Sequence, residues 1–450
     1  MQKETVRMKR VLGVPALVFF GLAYMVPLGI FTTYGEVTFL SEGHLPVAYI
    51  LTLLTMIFTA YSYCQMTREL PLSGSAYSYV QKTFGGNLGF LVGWAQLLDY
   101  LFLPILNYLV IGIYLHEAFP MIPISIFILS SIAIVTILNI LGIKLVNSMN
   151  MLIVILQFVF IVIFLCLCIY GQNDWSIDTL LQPLVVASGQ MSGLLSGAAI
   201  LCLAFLGFDA ISTLAEETKN PKRSLPRAIM ITVLVAGGLF IIIAYLAHLS
   251  YPNWQQFTGN NIDTAGLIIF KKVGGTLFVS LFIAVYITGV FASAMTSQAS
   301  IVRIFFAMGR EGVLPKSIFS YLHPQYRTPV LSIIFVSIAS LSALFISLSM
   351  VVSMISFGAL TAFTFVNLSV IKYFIINQKQ RSRAALLRYL VMPTIGVILT
   401  LWLWSSLHQS ALLIGLSWLL IGLAYLLVLT RGFSLKPPAI SDAEMSSIIN

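Results

Sequence analysis

Leu22-Ala-Tyr-Met-Val-Pro-Leu-Gly-Ile-Phe-Thr-Thr-Tyr-Gly-Glu36 aligns without gaps on Leu203-Ala-Phe-Leu-Gly-Phe-Asp-Ala-Ile-Ser-Thr-Leu-Ala-Glu-Glu217, 181 residues further along the chain. Leu22/Leu203, Ala23/Ala204, Ile30/Ile211, Thr32/Thr213 and Glu36/Glu217 are identical, while Tyr24/Phe205 and Met25/Leu206 are similar. Both windows lie in strongly apolar stretches, and each carries residues that interrupt a helix: Pro27 and Gly29 in the first, Gly207 in the second. An interruption frees backbone polar groups at a depth where water cannot serve them. A matched pair of broken helices in two halves of an apolar chain points to an internal inverted repeat. The alternative is two ordinary kinks in packed helices.

Composition agrees with a membrane setting. Of 450 residues, 59% are hydrophobic, about 266, and 9% are charged. A soluble domain carries roughly 25% charged residues. At about 20 apolar residues per crossing helix, the chain supplies ten to thirteen spans with short loops, and no sizeable soluble domain fits. A soluble enzyme, a single-span receptor and a secreted disulfide scaffold are excluded. The apolar runs fall at 14–37, 46–66, 87–116, 122–143, 148–170, 191–216, 227–249, 273–303, 330–350, 352–374, 388–408 and 411–430. The first run is too long for a signal-peptide core and has no small-residue cleavage site, so it counts as a helix of the mature protein.

The net charge of +9 is a topology signal. With the N-terminus inside, 22 of the 24 Lys and Arg residues fall on the cytoplasmic side, and only Lys271 and Lys272 fall outside. One span more or fewer would scramble that alternation. The predicted architecture is therefore an all-α integral membrane protein of twelve transmembrane helices with both termini cytoplasmic. Residues 1–13 form the N-terminal segment, 14–170 the first repeat (spans 1 to 5) and 171–375 the second (spans 6 to 10). Spans 11 and 12 occupy 376–431, and 432–450 form a cytoplasmic tail. Basic residues dealt out to every second loop do not make the continuous face that a nucleic acid needs, so the lipid bilayer is the expected partner.

Of the 15 carboxylates, two lie deep in predicted spans: Asp99, about thirteen residues into span 3, and Asp209, two residues after Gly207. No Lys or Arg is placed comparably deep. An ionisable group at the bilayer centre costs several kcal/mol unless paired or hydrated, and marks function by default. Two acids without a basic partner make an interior that either stays protonated or receives a cation. The bland alternative is a pair of neutral acids bonded to neighbouring helices. Tyr24, Tyr100, Phe205 and Phe208 surround them in sequence, and an ammonium sits well against such rings. His44, His116, His248 and His408 fall at span ends and His323 in a loop, and the four cysteines read as buried thiols. No metal site and no cofactor is expected.

Several stretches resemble the amino acid-polyamine-organocation superfamily of secondary transporters, and within it the bacterial putrescine importers. They are Gly21-Leu-Ala-Tyr-Met-Val-Pro27, Gly74-Ser-Ala-Tyr77, Leu97-Leu-Asp-Tyr-Leu-Phe-Leu-Pro104, Phe205-Leu-Gly-Phe-Asp-Ala210 with Glu216-Glu-Thr218, Met308-Gly-Arg310 and Phe357-Gly-Ala-Leu360. The resemblance runs from about residue 10 to 430. It implies the five-plus-five inverted-repeat fold of LeuT type, with helices 1 and 6 broken, a substrate site between spans 1, 3, 6, 8 and 10, and alternating access. It carries onto Tyr24, Asp99, Tyr100, Phe205 and Asp209 as substrate-site candidates.

Two departures from the amino-acid branch sharpen the expectation. Where those members have a small Gly/Ser-rich turn whose amides hold a carboxylate, this chain has Val26-Pro27-Leu28-Gly29, and Pro27 has no amide hydrogen. Where several relatives place a span-5 lysine, it has Gln157, which cannot titrate. A coupling proton would then ride on Asp99, Asp209 or Glu217 at the inner end of span 6. The expected function is import of putrescine or a similar small cationic polyamine across the bacterial inner membrane by proton symport. A cationic or neutral amino-acid permease is the alternative, and a membrane sensor or channel a distant one. No loop holds a nucleophile and base pair or a metal-ligand cluster, so an enzyme is not expected.

Overall fold

The computed structural model describes residues 10–257, 262, 265–405, 407, 409–435 and 437. Lys3, Arg7, Lys9, His408, Lys436 and most of the 432–450 tail lie outside the described residues.

Among the described residues, eleven helices are long and apolar enough to cross a membrane: Val14–Thr32, Leu45–Glu69, Gly86–His116, Ile124–Leu141, Val146–Gly171, Met191–Glu217, Pro221–Ser250, Ala265–Glu311, Met350–Asn377, Arg383–Ser405 and Gln409–Leu429. A shorter apolar helix, Val330–Leu344, lies between the eighth and ninth of these and completes twelve spans in chain order. Helices form because a lipid-exposed backbone must satisfy its own hydrogen bonds.

Three expectations need correction. Span 9 ends at Leu344 rather than 350, and the next helix starts at Leu348, so only three residues join spans 9 and 10. Span 8 extends to Glu311 rather than 303, which puts Arg303 inside the helix, buried, instead of at its end. Its first turns are set off by Gly275, whose φ of 72° and ψ of −170° leave the helical region, close to the sequence estimate of 273 for its start. Among the cysteines, Cys64, Cys168 and Cys202 are buried but Cys166 is exposed. Helix periodicity separates it from Cys168 by two residues, onto another face.

Spans 3 and 10 bury 72% of their most apolar stretch, whereas spans 11 and 12 bury 22% and 17%. The interior therefore forms around spans 1, 3, 6 and 10, with span 8 packed against them, and spans 11 and 12 flank it. Span 12 is fastened to span 3 by a reciprocal pair of indoles. Trp94 Nε1 donates to the Trp418 carbonyl at 2.9 Å and Trp418 Nε1 to the Trp94 carbonyl at 2.7 Å, with the rings stacked 4.9 Å apart.

Spans 1 and 6 are both discontinuous. Span 1 is α-helical over Val14–Met25, turns at Val26 and continues as a 3₁₀ helix over Pro27–Thr32, followed by the helix Tyr34–Leu40. Span 6 is α-helical over Met191–Leu201, tightens to a 3₁₀ turn over Cys202–Phe205, breaks at Gly207, and resumes over Ala210–Glu217. Seen from outside the two breaks, the chain segments that flank them meet again: Leu12, just ahead of span 1, forms a parallel bridge with Thr218, just past span 6.

Candidate substrate site

The break in span 6 places Asp209 against span 3. Tyr100 Oη donates to Asp209 Oδ2 at 2.5 Å, and the Gly207 amide donates to Asp209 Oδ1 at 3.2 Å. Asp209 is 1% exposed, as is Asp99. The Asp99 Oδ1 meets no hydrogen-bond partner, and the two carboxyls lie within electrostatic reach of each other. Span 10 comes very close here: a Cβ on Gly358 would sit 2.6 Å from the Asp99 amide nitrogen, so only glycine lets the two backbones meet. Among the described residues neither acid has an ion-pair partner.

The ring of Tyr24 lies 6.4 Å from that of Tyr100. It packs on the span-6 break so tightly that a Cβ on Gly207, where φ is 131°, would meet Tyr24 Cδ1 at 2.8 Å. Tyr24, Tyr100, Asp99 and Asp209 thus share one locality. Phe205 faces elsewhere, its ring edge-on to Phe240 of span 7 at 5.5 Å. The nearby aromatic wall comes instead from Phe208, which stacks on Phe363 at 5.4 Å and meets Tyr63 at 5.7 Å. Tyr63 lies within electrostatic reach of both acids and was missed in the sequence because nothing in span 2 marks it out from 19 tyrosines.

The break in span 1 carries no charge, and its Leu28 and Gly29 amides and the Tyr24 carbonyl are already bonded. Pro27 has no amide hydrogen. The Leu28 amide donates to Gln157 Oε1 of span 5 at 3.3 Å, and the Gly29 amide to the Val26 carbonyl at 2.7 Å. The Tyr24 carbonyl accepts from Ser293 Oγ of span 8 at 2.8 Å, and Ser293 in turn accepts from Asn107 Nδ2 of span 3 at 3.0 Å. Gln157 is thus a backbone cap for the break.

The two faces of the molecule differ. On the face that gathers Leu12, Thr218 and the end of span 8, the path to the acids is closed. The Val11 and Leu12 amides donate to the Glu217 carbonyl at 2.8 and 3.0 Å. Arg303 Nε donates to Glu217 Oε1 at 2.5 Å, Arg310 grips Glu216 with two bonds of 3.0 and 2.9 Å, and Glu311 accepts from Tyr77 Oη and from Gln81 at 2.7 Å. Glu217, a third proton-coupling candidate from the sequence, is therefore held by Arg303. On the opposite face two cavities open, of about 180 and 430 Å³. The smaller reaches down to Tyr24, Leu206 and Ser293, the larger to Leu206 and Phe363.

The amino acid permease family profile matches residues 16–423. The low-affinity putrescine importer PlaP of Escherichia coli (strain K12) is 40% identical over 442 residues, covering 97% of this chain and 97% of that one. The branched-chain amino acid permease BcaP of Bacillus subtilis (strain 168) is 28% identical over 398 residues, 83% of this chain and 82% of that one. Among solved structures, MhsT in complex with L-phenylalanine matches with a TM-score of 0.65 at 14% identity, covering 89% of this chain and 100% of MhsT. That likeness is one of fold. With the family profile spanning nearly all twelve helices and the two broken helices meeting at buried acids, the chain belongs to the amino acid permease family and is a multi-pass membrane transporter rather than an enzyme.

Proposed function

We propose that this chain imports putrescine or a similar small linear polyamine by alternating access, driven by a co-transported proton. The observation that carries the reading is the pair of buried carboxyls, Asp99 and Asp209, beside the break in span 6, with no basic side chain among the described residues paired to either. The state of break 1 supports the choice of a diamine over an amino acid. An amino acid needs donors for its carboxylate, and the amides there are absent at Pro27, bonded to Gln157 at Leu28 and bonded to Val26 at Gly29. A diamine has no carboxylate to place. The 40% identity to a putrescine importer over 97% of both chains favours the same substrate class.

In this reading Asp209 holds a substrate ammonium, displacing the Tyr100 hydroxyl, while Asp99 binds the other end or carries the proton. One carboxyl cannot hold both at full strength, so symport divides the roles, and Glu217 stays with Arg303 in the closed face. The basic face is the cytoplasmic one of the bacterial inner membrane, with both termini on that side and the two cavities facing outward. The repeats divide as 14–170 and 171–375, with 376–431 outside them.

Loss of a partner from a buried charge pair costs about 2–5 kcal/mol. Asp209→Asn is therefore expected to raise the half-saturation concentration for putrescine uptake into proteoliposomes by well over tenfold. Uptake by the parent should rise with an inward proton gradient and be competed by diamines more strongly than by lysine, arginine or neutral amino acids. Competition by neutral amino acids alone would move the assignment to an amino-acid permease. Uptake that ignores the gradient but needs internal substrate would make it an exchanger.

A further inference from the structure

The open face holds a feature that the acid pair leaves unexplained. Among the described residues lining its two cavities, one side chain is charged: Glu36. It sits on the helix Tyr34–Leu40 beyond span 1, and it is exposed. Gly29, Thr32 and Thr33 line the smaller cavity and Glu36 the larger, so successive turns of one face of the outer half of span 1 run from the break up to this carboxylate. Across the larger cavity span 10 presents Ser353 and Ser356, above an apolar wall formed by Leu203 and Leu360.

The Ser356 hydroxyl is turned to accept. Ser356 Oγ donates its hydrogen to the Val352 carbonyl of its own helix at 2.9 Å, and Thr32 Oγ1 donates to the Gly29 carbonyl at 2.7 Å. Ser356 Oγ keeps its lone pairs for a donor from outside, whereas Thr32 Oγ1 already accepts from Tyr286 Oη at 3.0 Å. Such a lining suits an ammonium with its three N–H groups and offers little to an anion. An apolar-walled cleft also focuses the field of the charge it contains. Glu36 is the one negative charge that, among the described residues, lines the cavities a cation would enter.

We infer that Glu36, with Ser356 across the cavity, is an outer capture site for a primary ammonium group, where a diamine docks with its methylene stem against Leu203 and Leu360 before moving to Asp209. The inference rests on the amine-import reading and adds to it a separate, earlier station. A capture site speeds arrival without being part of the final bound state, so it acts on rates. Removing such a charge changes association rate and its salt dependence more than affinity.

The test is stopped-flow association of putrescine with the full-length purified chain in nanodiscs, at low and at high ionic strength, beside equilibrium binding of the same samples. Glu36→Gln is expected to slow association about three- to tenfold at low salt and to flatten its salt dependence, with equilibrium affinity moved less than about twofold. Glu36→Asp should recover most of the rate, and Ser356→Ala should slow it by a smaller factor. Association by Glu36→Gln as fast and as salt-sensitive as the parent overturns the capture site, and so does a loss of rate matched by an equal loss of affinity. A parent that binds no putrescine at equilibrium overturns the amine-import reading itself, and the capture site with it. A parent that binds normally while the variant matches its rate removes the capture site alone.

Discussion

In span 6 the chain turns at Gly207 with φ at 131°, and the Gly207 amide set free there is answered locally by Asp209, whose carboxylate also accepts from the Tyr100 hydroxyl of span 3. In span 1 it turns at Val26 with φ at 50°, and, beside the local bond from the Gly29 amide to the Val26 carbonyl, the Leu28 amide and the Tyr24 carbonyl are answered from other helices, by Gln157 on span 5 and Ser293 on span 8. The related windows thus reach the same bend by different means. Break 6 keeps its carboxylate bonds within reach of exchange, because a phenol can give way to an ammonium. Break 1 is tied into two neighbouring helices by bonds to backbone, and a substrate could claim them only by leaving buried main-chain groups unpaired. The comparison assigns recognition to one break and mechanical anchoring to the other.

The inner ends of both broken helices are joined through Leu12, Glu217 and Thr218, and the largest expected effect lies in cutting that joint. The side chains of Arg303 and Glu217 are 9% and 7% exposed. Removing one member of a buried ion pair strands the other at a cost of about 3–5 kcal/mol. Arg303→Gln should therefore open the basic face, seen as faster amide exchange at Val11, Leu12 and Lys219, whose hydrogen bonds close it. Unchanged protection of these three amides would show that the two breaks are held together by something other than this pair.

Gly207→Ala comes next. Its Cβ would meet Tyr24 at 2.8 Å, in a backbone region that side chains rarely adopt. Strain of about 1–3 kcal/mol and overpacking of a similar size both act at the recognition break. Substrate binding should weaken by more than tenfold while the indole clasp between spans 3 and 12 keeps its fluorescence signature. Near-parental binding would mean that Tyr24 moves aside freely and does not brace the break.

Much of this arrangement is legible in the residues, for reasons that also mark where legibility stops. Depth of charge in an apolar run is a one-dimensional property, so Asp99 and Asp209 stand out in sequence, as does the Pro/Gly punctuation of both breaks. Which residue takes the left-handed conformation is not one-dimensional: Pro27 and Gly29 signal the first break, but the positive φ falls on Val26, which the following proline keeps out of the right-handed helical region without directing it to the left-handed one. The facing of Phe205 towards Phe240, and of Phe208 towards Tyr63 and Phe363, depends on how span 6 is rotated after its 3₁₀ turn, which no periodicity records. The Arg303 to Glu217 pair joins positions 86 apart and appears only once spans 6 and 8 are packed. The helix that extends past Arg303 to Glu311 was unreadable for a simpler reason, since charged residues at its end look like a loop.

Gln157→Leu tests the anchoring role at lower cost. It removes the acceptor of the Leu28 amide and leaves a buried donor unpaired, worth about 1–3 kcal/mol. The thermal midpoint in detergent should fall, and transport should keep its proton dependence, since the amide side chain carries no proton. A loss of coupling with stability intact would put Gln157 in the transport chemistry and blur the division between the breaks.

Val26→Gly is the smallest expected effect and the one with the opposite sign. A β-branched residue at positive φ is a strained choice, and the left-handed conformation costs an L-residue about 1–2 kcal/mol that glycine does not bear. Glycine would also free the backbone of the unfolded chain, which offsets part of that gain. If break 1 is only an anchor, the variant should be at least as stable as the parent and bind substrate alike, because its stabilising bonds come from Gln157 and Ser293 and do not involve the Val26 side chain. If instead the strain at Val26 is held for the transport cycle, relieving it should leave equilibrium binding alone and slow turnover. A measured rise in stability with a fall in uptake rate would then make break 1 the sprung element and break 6 the passive one, reversing the assignment drawn from their hydrogen bonds.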